Sequence, residues 1–536
     1  MKKLILIFSS KYASLICVLF ALLNRTAFAI FASTVSRDEQ LQVAMAKNLL
    51  AGRGLALIKY FSNDLNTPVK DYTLQFPPGF SLALIPFLKI FNNNQFIACA
   101  AFDVLSGIFF VLIIRLLCKK LLFKPYVVNI ITIVAGVIQY LFFMESASSD
   151  TLSLDLILAG MVISIGIIEN NRSYNFFTIA GYGFIFFLPS FLRYMYIPFA
   201  PLFPAIIFFK GIARKNKRLK LTGVWMLLAT TVYLVFLLSW QMLVHSQFIV
   251  STEKGLYPAQ LFSWYPFFIG SFINIDFVSM RLQNFFSVYY GGSFYTLVVC
   301  NLLFLLLLLV VAKEILLKKK DSFFLIAGWS LSLLVIFELA FLTLTNKPQI
   351  SPYGSWNYLN EGRYFAFVNV FLLLFAFYLF SKQEWTKNIF IKAFVIFSLT
   401  LICLETLHGI YFNAKLPFFH SQMRYTLARE EPARKYFGSI LDRLKKDHKE
   451  YKVFVSSENS YYLNFAAANG ARSIYDPLKL NEQTLHSSQN GILLFIVDSS
   501  YKNQYATFIE KEKPQLLQIV GETYFYEKEL KSADKQ

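Results

Sequence analysis

The chain has 536 residues, 56% of them hydrophobic and 18% aromatic but only 15% charged, a balance outside that of soluble globular domains of this size. Its formal charge is +19. The basic residues sit in short clusters between apolar runs rather than on one polar face, which sets nucleic acid aside as a partner and fits membrane orientation.

The N-terminus combines Lys2 and Lys3, an apolar run and Ala27-Phe28-Ala29, the ingredients of a cleavable signal peptide. Lys11 splits that run, however, and Asn24-Arg25 would stand inside its apolar part. The segment is therefore read as a retained first span that buries Arg25 against its neighbours. Eleven spans are predicted, at roughly 12–32, 95–117, 126–143, 150–168, 174–192, 194–210, 221–245, 293–312, 322–345, 364–381 and 388–412, each able to cross about 30 Å of hydrocarbon as a helix. Every second loop is basic: Lys119, Lys120 and Lys124; Lys210 to Lys220; Lys313 and Lys318 to Lys320; Lys382 and Lys387. Those loops are assigned to the cytoplasm. Residues 33–94, 246–292 and 346–363 and the C-terminal tail then share the outer face.

In the first outer loop, Ser36-Arg37-Asp38-Glu39-Gln40 introduces an amphipathic helix from Glu39 to Leu50, ended by Gly52 and Gly54 and suited to lying on the membrane surface. Gln75-Phe76-Pro77-Pro78-Gly79 follows as a chain reversal before the second span. Leu256 to Ile275, rich in Trp, Tyr, Phe and Pro, has the composition of headgroup depth. Beyond residue 425 the pattern changes to an amphipathic stretch at 433–446, strands at 453–455 and 492–497, a helix at 502–512 and a strand at 516–526, which reads as a small α/β domain. The predicted organisation is thus a transmembrane domain over 1–412 and a soluble outer-face α/β domain over 425–536.

The five cysteines (Cys17, Cys99, Cys118, Cys300, Cys403) lie in or beside apolar segments without C-x-x-C spacing, so no disulfide framework or zinc site is implied. The five histidines are dispersed. No metal is expected, and without a G-x-G-x-x-G or Walker pattern no nucleotide or other cofactor is expected either.

The order of first span, acidic pair, helix and Pro-Pro-Gly resembles the GT-C superfamily of membrane glycosyltransferases, within it the protein O-mannosyltransferase and lipid A aminoarabinose transferase branch. Asn360-Glu361-Gly362-Arg363-Tyr364-Phe365 matches the Arg-Tyr pair that this branch often places at the outer mouth of a late span, and Ser148-Ser149-Asp150 and Leu192-Arg193-Tyr194 are smaller matches. A Lys commonly precedes the double proline in the aminoarabinose branch, where this chain has Gln75-Phe76 with Lys70 at a distance. The resemblance covers roughly 1–412 and implies a polyprenyl-phosphate-linked sugar as donor, a lipid, glycan or protein acceptor, and membrane lipid around the site.

Transfer from a polyprenyl phosphate needs a base for the acceptor hydroxyl, positive charge for the departing phosphate and a site at the membrane surface. Under the resemblance Asp38 is the general base of an inverting displacement and Glu39 its assistant. Arg363, whose guanidinium fits phosphate oxygens bidentately, is the donor-phosphate clamp, with Tyr364 and Arg193 in support; Asp150 and Glu361 line the substrate cavity. The same residues admit plainer roles: the acidic pair as a helix N-cap and macrodipole device, Arg363 as an interfacial anchor, Arg193 as a packing residue and Asp150 as an N-cap. A lipid-linked sugar flippase or a non-catalytic envelope assembly factor is the rival function. A flippase would be expected to show repeated halves, and the sequence contains no convincing internal symmetry.

Overall fold

In the computed structural model of the chain, the described residues are 7–31, 37–61, 64–71, 76–137, 149–170, 174–245, 349–350, 356–357, 366–382, 389–415, 431–447, 452–457, 460–469, 471–475 and 491–530. They form two compact units, one from 1–32 with 101–415 and one from 33–100 with 416–536.

The first unit is a helical bundle. Its helices are α1 (Lys11–Phe31), α4 (Gln95–Lys120, which begins in the second unit), α5 (Pro125–Val137), α6 (Ser149–Asn170), α7 (Phe176–Leu192), α8 (Phe199–Ala213), α9 (Lys217–His245), α10 (Ala366–Lys382) and α11 (Ile389–Lys415). These coincide with nine of the predicted spans. The spans at 293–312 and 322–345 and the aromatic segment 256–275 lie outside the described residues. Among the described residues, five helices are long and apolar enough to cross a membrane (α1, α4, α6, α9 and α11), and α5, α7 and α8 are shorter apolar ones.

Among the described residues, the exposed faces of α1 and α9 are apolar. Tyr12, Leu15, Ile16, Leu19 and Leu23 on α1 and Val232, Val235, Phe236 and Leu243 on α9 are exposed, as expected for surfaces solvated by acyl chains instead of water. The chain is a polytopic integral membrane protein. Its bundle interior is a continuous apolar cluster from Phe110 and Leu117 through Val127, Leu158, Phe186, Phe203 and Met226 to Leu373 and Leu379.

With lipid as apolar as the side chains, helix association depends on close packing and polar contacts. A Cβ built on Gly136 of α5 would collide with the Ala21 backbone of α1, and one on Gly183 of α7 would lie 2.8 Å from Ala229 Cβ of α9. At that second crossing the Thr230 hydroxyl donates to the carbonyls of Met226 and Gly183, at 2.8 and 3.3 Å. Near the other end of α1, the Arg115 guanidinium donates to Asn129 Oδ1 and Thr132 Oγ1, both at 3.0 Å, and to Ser14 Oγ.

The second unit is built on a seven-stranded sheet. Its strands are β1 (Leu57–Phe61), β2 (Asp64–Asp71), β3 (Lys452–Ser457), β4 (Arg472–Tyr475), β5 (Gly491–Asp498), β6 (Gln515–Val520) and β7 (Thr523–Leu530), in the order β2-β1-β4-β3-β5-β7-β6. The inner four, β1, β4, β3 and β5, run parallel, and β2, β7 and β6 are antiparallel additions. β3 and β5 are buried along nearly their whole length, and their centres, Val453–Val455 and Ile492–Val497, are continuous apolar runs. Helix α13 (Ser460–Ala468) makes the crossover from β3 to β4. Helix α12 (Glu431–Asp447) packs its apolar stripe, Phe437, Ile440, Leu441 and Leu444, into the same core as Val453, Val455, Leu494 and Ile496.

The sheet crosses the boundary that sequence order suggests. Strand β1 comes from the segment between α1 and α4 and pairs in parallel with β4 of the tail, through Lys59 opposite Ser473, Tyr60 opposite Ile474 and Phe61 opposite Tyr475. The tail therefore forms one folded unit with residues 33–100 instead of standing as a separate domain over 425–536. The final predicted strand at 516–526 is a hairpin, β6 and β7, turning through Gly521 at φ +63°.

The guanidinium of Arg472 fastens the junction of the two segments. It stands 5.0 Å from the ring centroid of Tyr60 on β1 and 5.4 Å from that of Phe454 on β3. Burial lowers its pKa from the ordinary arginine value, an effect that the neighbouring Tyr60 opposes.

Both kinds of contact can be tested by substitution. Gly136→Ala should force α1 and α5 apart and lower stability by about 1–3 kcal/mol, read as a fall in the thermal midpoint of the protein in detergent. Arg472→Ala should remove cation–π contacts worth about 1–2 kcal/mol and raise amide hydrogen exchange in Leu57–Phe61 ahead of the rest of the sheet.

Candidate functional site

The acidic pair stands at the beginning of α2 (Arg37–Leu50), the first helix of the second unit, with Asp38 and Glu39 as its second and third residues. There the exposed N–H groups and the helix dipole favour negative charge. The helix ends as its glycines dictate: Gly52 and Gly54 take φ of +73° and +91°, and Arg53 N–H returns to Asn48 O at 2.9 Å.

Its surroundings differ from the expected surface helix. Glu39 is 1% exposed, Gln40 0% and Gln42 1%, alongside Val43, Ala44, Met45 and Ala46 at no more than 1%. The helix is enclosed because α13 of the tail, α3 (Gly79–Ile90) and β1 all pack on it, and the small residues Ala44 and Ala46 permit close approach. Asn48 Nδ2 donates to Ala56 O at 2.8 Å, tying the helix to the lead-in of β1. Pro77-Pro78-Gly79 starts α3, with Pro78 as its N-cap residue.

In the first unit the structure brings together two predicted residues, Asp150 and Arg193. Asp150 lies in the first turn of α6 and is fully buried. Arg193 caps the C-terminus of α7 in an extended conformation, φ −148° and ψ 128°, with its own N–H returning to Pro189 O. A short 3-10 turn, Tyr194–Tyr196, then leads to Pro198 and α8, and the Ser190 hydroxyl holds that turn by donating to Tyr196 O at 3.1 Å. This break between the fifth and sixth predicted spans turns the guanidinium toward α6. Its Nε donates to Asp150 Oδ1 at 2.7 Å and its Nη2 to Asp150 Oδ2 at 2.5 Å. The bidentate pair neutralises a carboxylate that its setting would otherwise leave uncompensated.

A second buried polar group joins α4, α6 and α1. Ser106 of α4 donates to Asp155 Oδ2 of α6 at 2.6 Å, and Asp155 is fully buried. Arg25 of α1 interacts electrostatically with Asp155 and Asp103. Its Nε donates to Ala135 O of α5 at 3.1 Å, its guanidinium lies 5.2 Å from the Phe110 ring centroid, and its stem runs beside Gly107. Sequence reasoning anticipated a buried Arg25 but left Asp155 out of the site. The available signal was the cost of carboxylates at 103 and 155 inside apolar runs, which an arginine in a neighbouring span offsets. Glu361, Arg363 and Tyr364 lie outside the described residues.

No protein family and no curated protein matches the sequence. Among solved structures, the chain is similar to the oligosaccharyltransferase of Archaeoglobus fulgidus in its apo form, at 13% identity over 93% of this chain and 71% of that one, with a TM-score of 0.48. It is also similar to ArnT from Cupriavidus metallidurans in the apo state, at 11% identity over 96% of this chain and 97% of that one, with a TM-score of 0.45. A further similarity is to the archaeal oligosaccharyltransferase AglB from Archaeoglobus fulgidus in complex with an inhibitory peptide and a dolichol-phosphate, at 11% identity over 98% of this chain and 75% of that one, with a TM-score of 0.43.

The Asp150–Arg193 geometry makes a distinct prediction. Asp150→Asn or Arg193→Gln alone leaves a buried charge and should cost about 3–5 kcal/mol. The double variant should recover much of that loss, a non-additivity measurable by thermal unfolding of all four proteins in one detergent.

Proposed function

We propose that this chain is a GT-C-type membrane glycosyltransferase that moves a sugar from a polyprenyl-phosphate donor to an extracytoplasmic lipid, glycan or protein acceptor with inversion at the anomeric carbon. The observation that carries the reading is the setting of Asp38 and Glu39. They begin a helix that follows a membrane span within a few residues, and Glu39 is withdrawn from water almost completely. A purely solvated capping pair has no need of such enclosure, so the burial of Glu39 favours a functional reading of the motif over a cap.

In this reading Asp38 takes the acceptor hydroxyl proton as that oxygen attacks the anomeric carbon and the polyprenyl phosphate departs. Phosphate is a good leaving group, so no general acid is required. Glu39 assists by holding the base or the acceptor. Arg363 clamps the departing phosphate and Tyr364 adds a hydroxyl donor, while Glu361 lines the cavity; these roles rest on the sequence pattern. Arg193 has a lesser share in phosphate binding, since two of its N–H groups already serve Asp150. Asp150 accordingly supports the cavity through Arg193. The proposed setting is the bacterial inner membrane, with the reaction on its outer face.

The test is transfer from a panel of labelled polyprenyl-phosphate hexoses and pentoses by the purified protein in lipid nanodiscs, with membrane extract as acceptor source. Asp38→Asn should lower transfer about 10²- to 10⁴-fold while donor binding and the thermal midpoint stay near those of the native protein. Native rates in that variant exclude Asp38 as the base. Movement of the donor across vesicles without any transfer identifies a flippase instead.

A further inference from the structure

The enclosed polar residues of the second unit include side chains to which the function above assigns no work. Gln40 follows the acidic pair directly, is 0% exposed, and has both Oε1 and Nε2 buried without a hydrogen-bond partner among the described residues. Gln95, in the first turn of α4, is 3% exposed and has both polar atoms in the same condition; the buried Ser81 hydroxyl in the first turn of α3 is likewise unpartnered. All three belong to the 33–100 part of the second unit. Buried polar groups are almost always hydrogen-bonded, because stripping water from an amide without replacing its bonds is costly. An apolar side chain would serve simple packing better, as Val43, Met45 and Ala46 do later on the same helix.

The chemistry of the unmet groups narrows what would meet them. A carboxamide offers two N–H donors and a carbonyl acceptor on one rigid plane. A phosphate supplies acceptors alone and would face the amide oxygen unfavourably, and a prenyl chain supplies neither donor nor acceptor. A pair of neighbouring hydroxyls answers both halves, one oxygen accepting from Nε2 and the other donating to Oε1. Resting on the transferase reading, we propose that Gln40 is a sugar-binding residue that holds a vicinal diol of the transferred sugar. The acid ahead of it in sequence does the proton chemistry; the amide sets which sugar is accepted and how it lies.

The experiment compares native protein, Gln40→Met and Asp38→Asn in nanodiscs, using the labelled donor that the native protein turns over, with polyprenyl phosphate lacking sugar as the control ligand. Methionine keeps length and approximate volume without the polar atoms. Gln40→Met should raise KM for the donor about 10- to 100-fold, the equivalent of two lost hydrogen bonds, with kcat changed much less. Its thermal midpoint without ligand should equal or exceed that of native protein, while the upward shift on adding sugar-bearing donor disappears and the shift with bare polyprenyl phosphate persists. A native KM and a native donor-induced shift overturn the proposal, as does equal loss of the shift with bare polyprenyl phosphate. Should Gln40→Met fail to fold, the isosteric Gln40→Glu answers by the same two readouts, since it removes the donor half of the amide. Asp38→Asn keeps the two ideas apart: a collapse of kcat there beside an unaltered Gln40→Met sinks the sugar-binding role alone, and an absence of transfer by native protein sinks the transferase reading first.

Discussion

Four strands run parallel in the second unit, and the pairing of Leu57–Phe61 with Arg472–Tyr475 is the one on which the rest depends. It fixes a loop near the start of the chain against a tail near its end. Parallel neighbours have no tight turn to join them and need a long connection; here that connection includes most of the bundle. Once β1 is seated, the helix preceding it is held between α13 and α3, and Asp38 and Glu39 acquire a defined place. The Arg472 stack on Tyr60 and Phe454 reinforces the seam from both of its sides. The position of the acidic pair is thus a tertiary property supplied in part by the tail.

The sequence carried the bundle plainly and the sheet poorly, for a physical reason. A membrane span is a local quantity, an apolar run long enough for the bilayer, so Lys11–Phe31, Gln95–Lys120 and Lys217–His245 could be read within a residue or a few of their ends. A parallel strand is defined by its partner. Nothing within Leu57–Phe61 announces a pairing with residues more than 400 positions away, and β4, four residues long, leaves hardly any pattern at all. The central strands Lys452–Ser457 and Gly491–Asp498 were legible because burial on both faces makes their centres, Val453–Val455 and Ile492–Val497, apolar. For the candidate site, the acidic motif and Arg193 stood out through the resemblance of their motif order. That Asp150 would take both edges of the Arg193 fork did not, because it depends on the Pro-bounded turn that aims the arginine back at α6.

Charge inside the bundle follows a consistent rule. Arg193 meets Asp150, Arg25 has Asp155 and Asp103 within electrostatic reach, and Arg115 is received by hydroxyl and amide oxygens. Each cation is accommodated by groups on other helices, so each also acts as a crosslink. In lipid, where apolar burial gives helices little reason to prefer one another, such contacts and the glycine crossings at 136 and 183 decide which helices are neighbours.

The seam between loop and tail also has a consequence in time. A ribosome delivers residues 57–61 long before residues 472–475 exist, and every span between them must be threaded into the bilayer during the interval. Until residues 460–475 have emerged, strand β1 lacks its neighbour and the acidic helix lacks one of the walls that enclose it. Assembly of the second unit therefore waits for the tail, and a polypeptide released before it carries β1 and helix α2 without their partners.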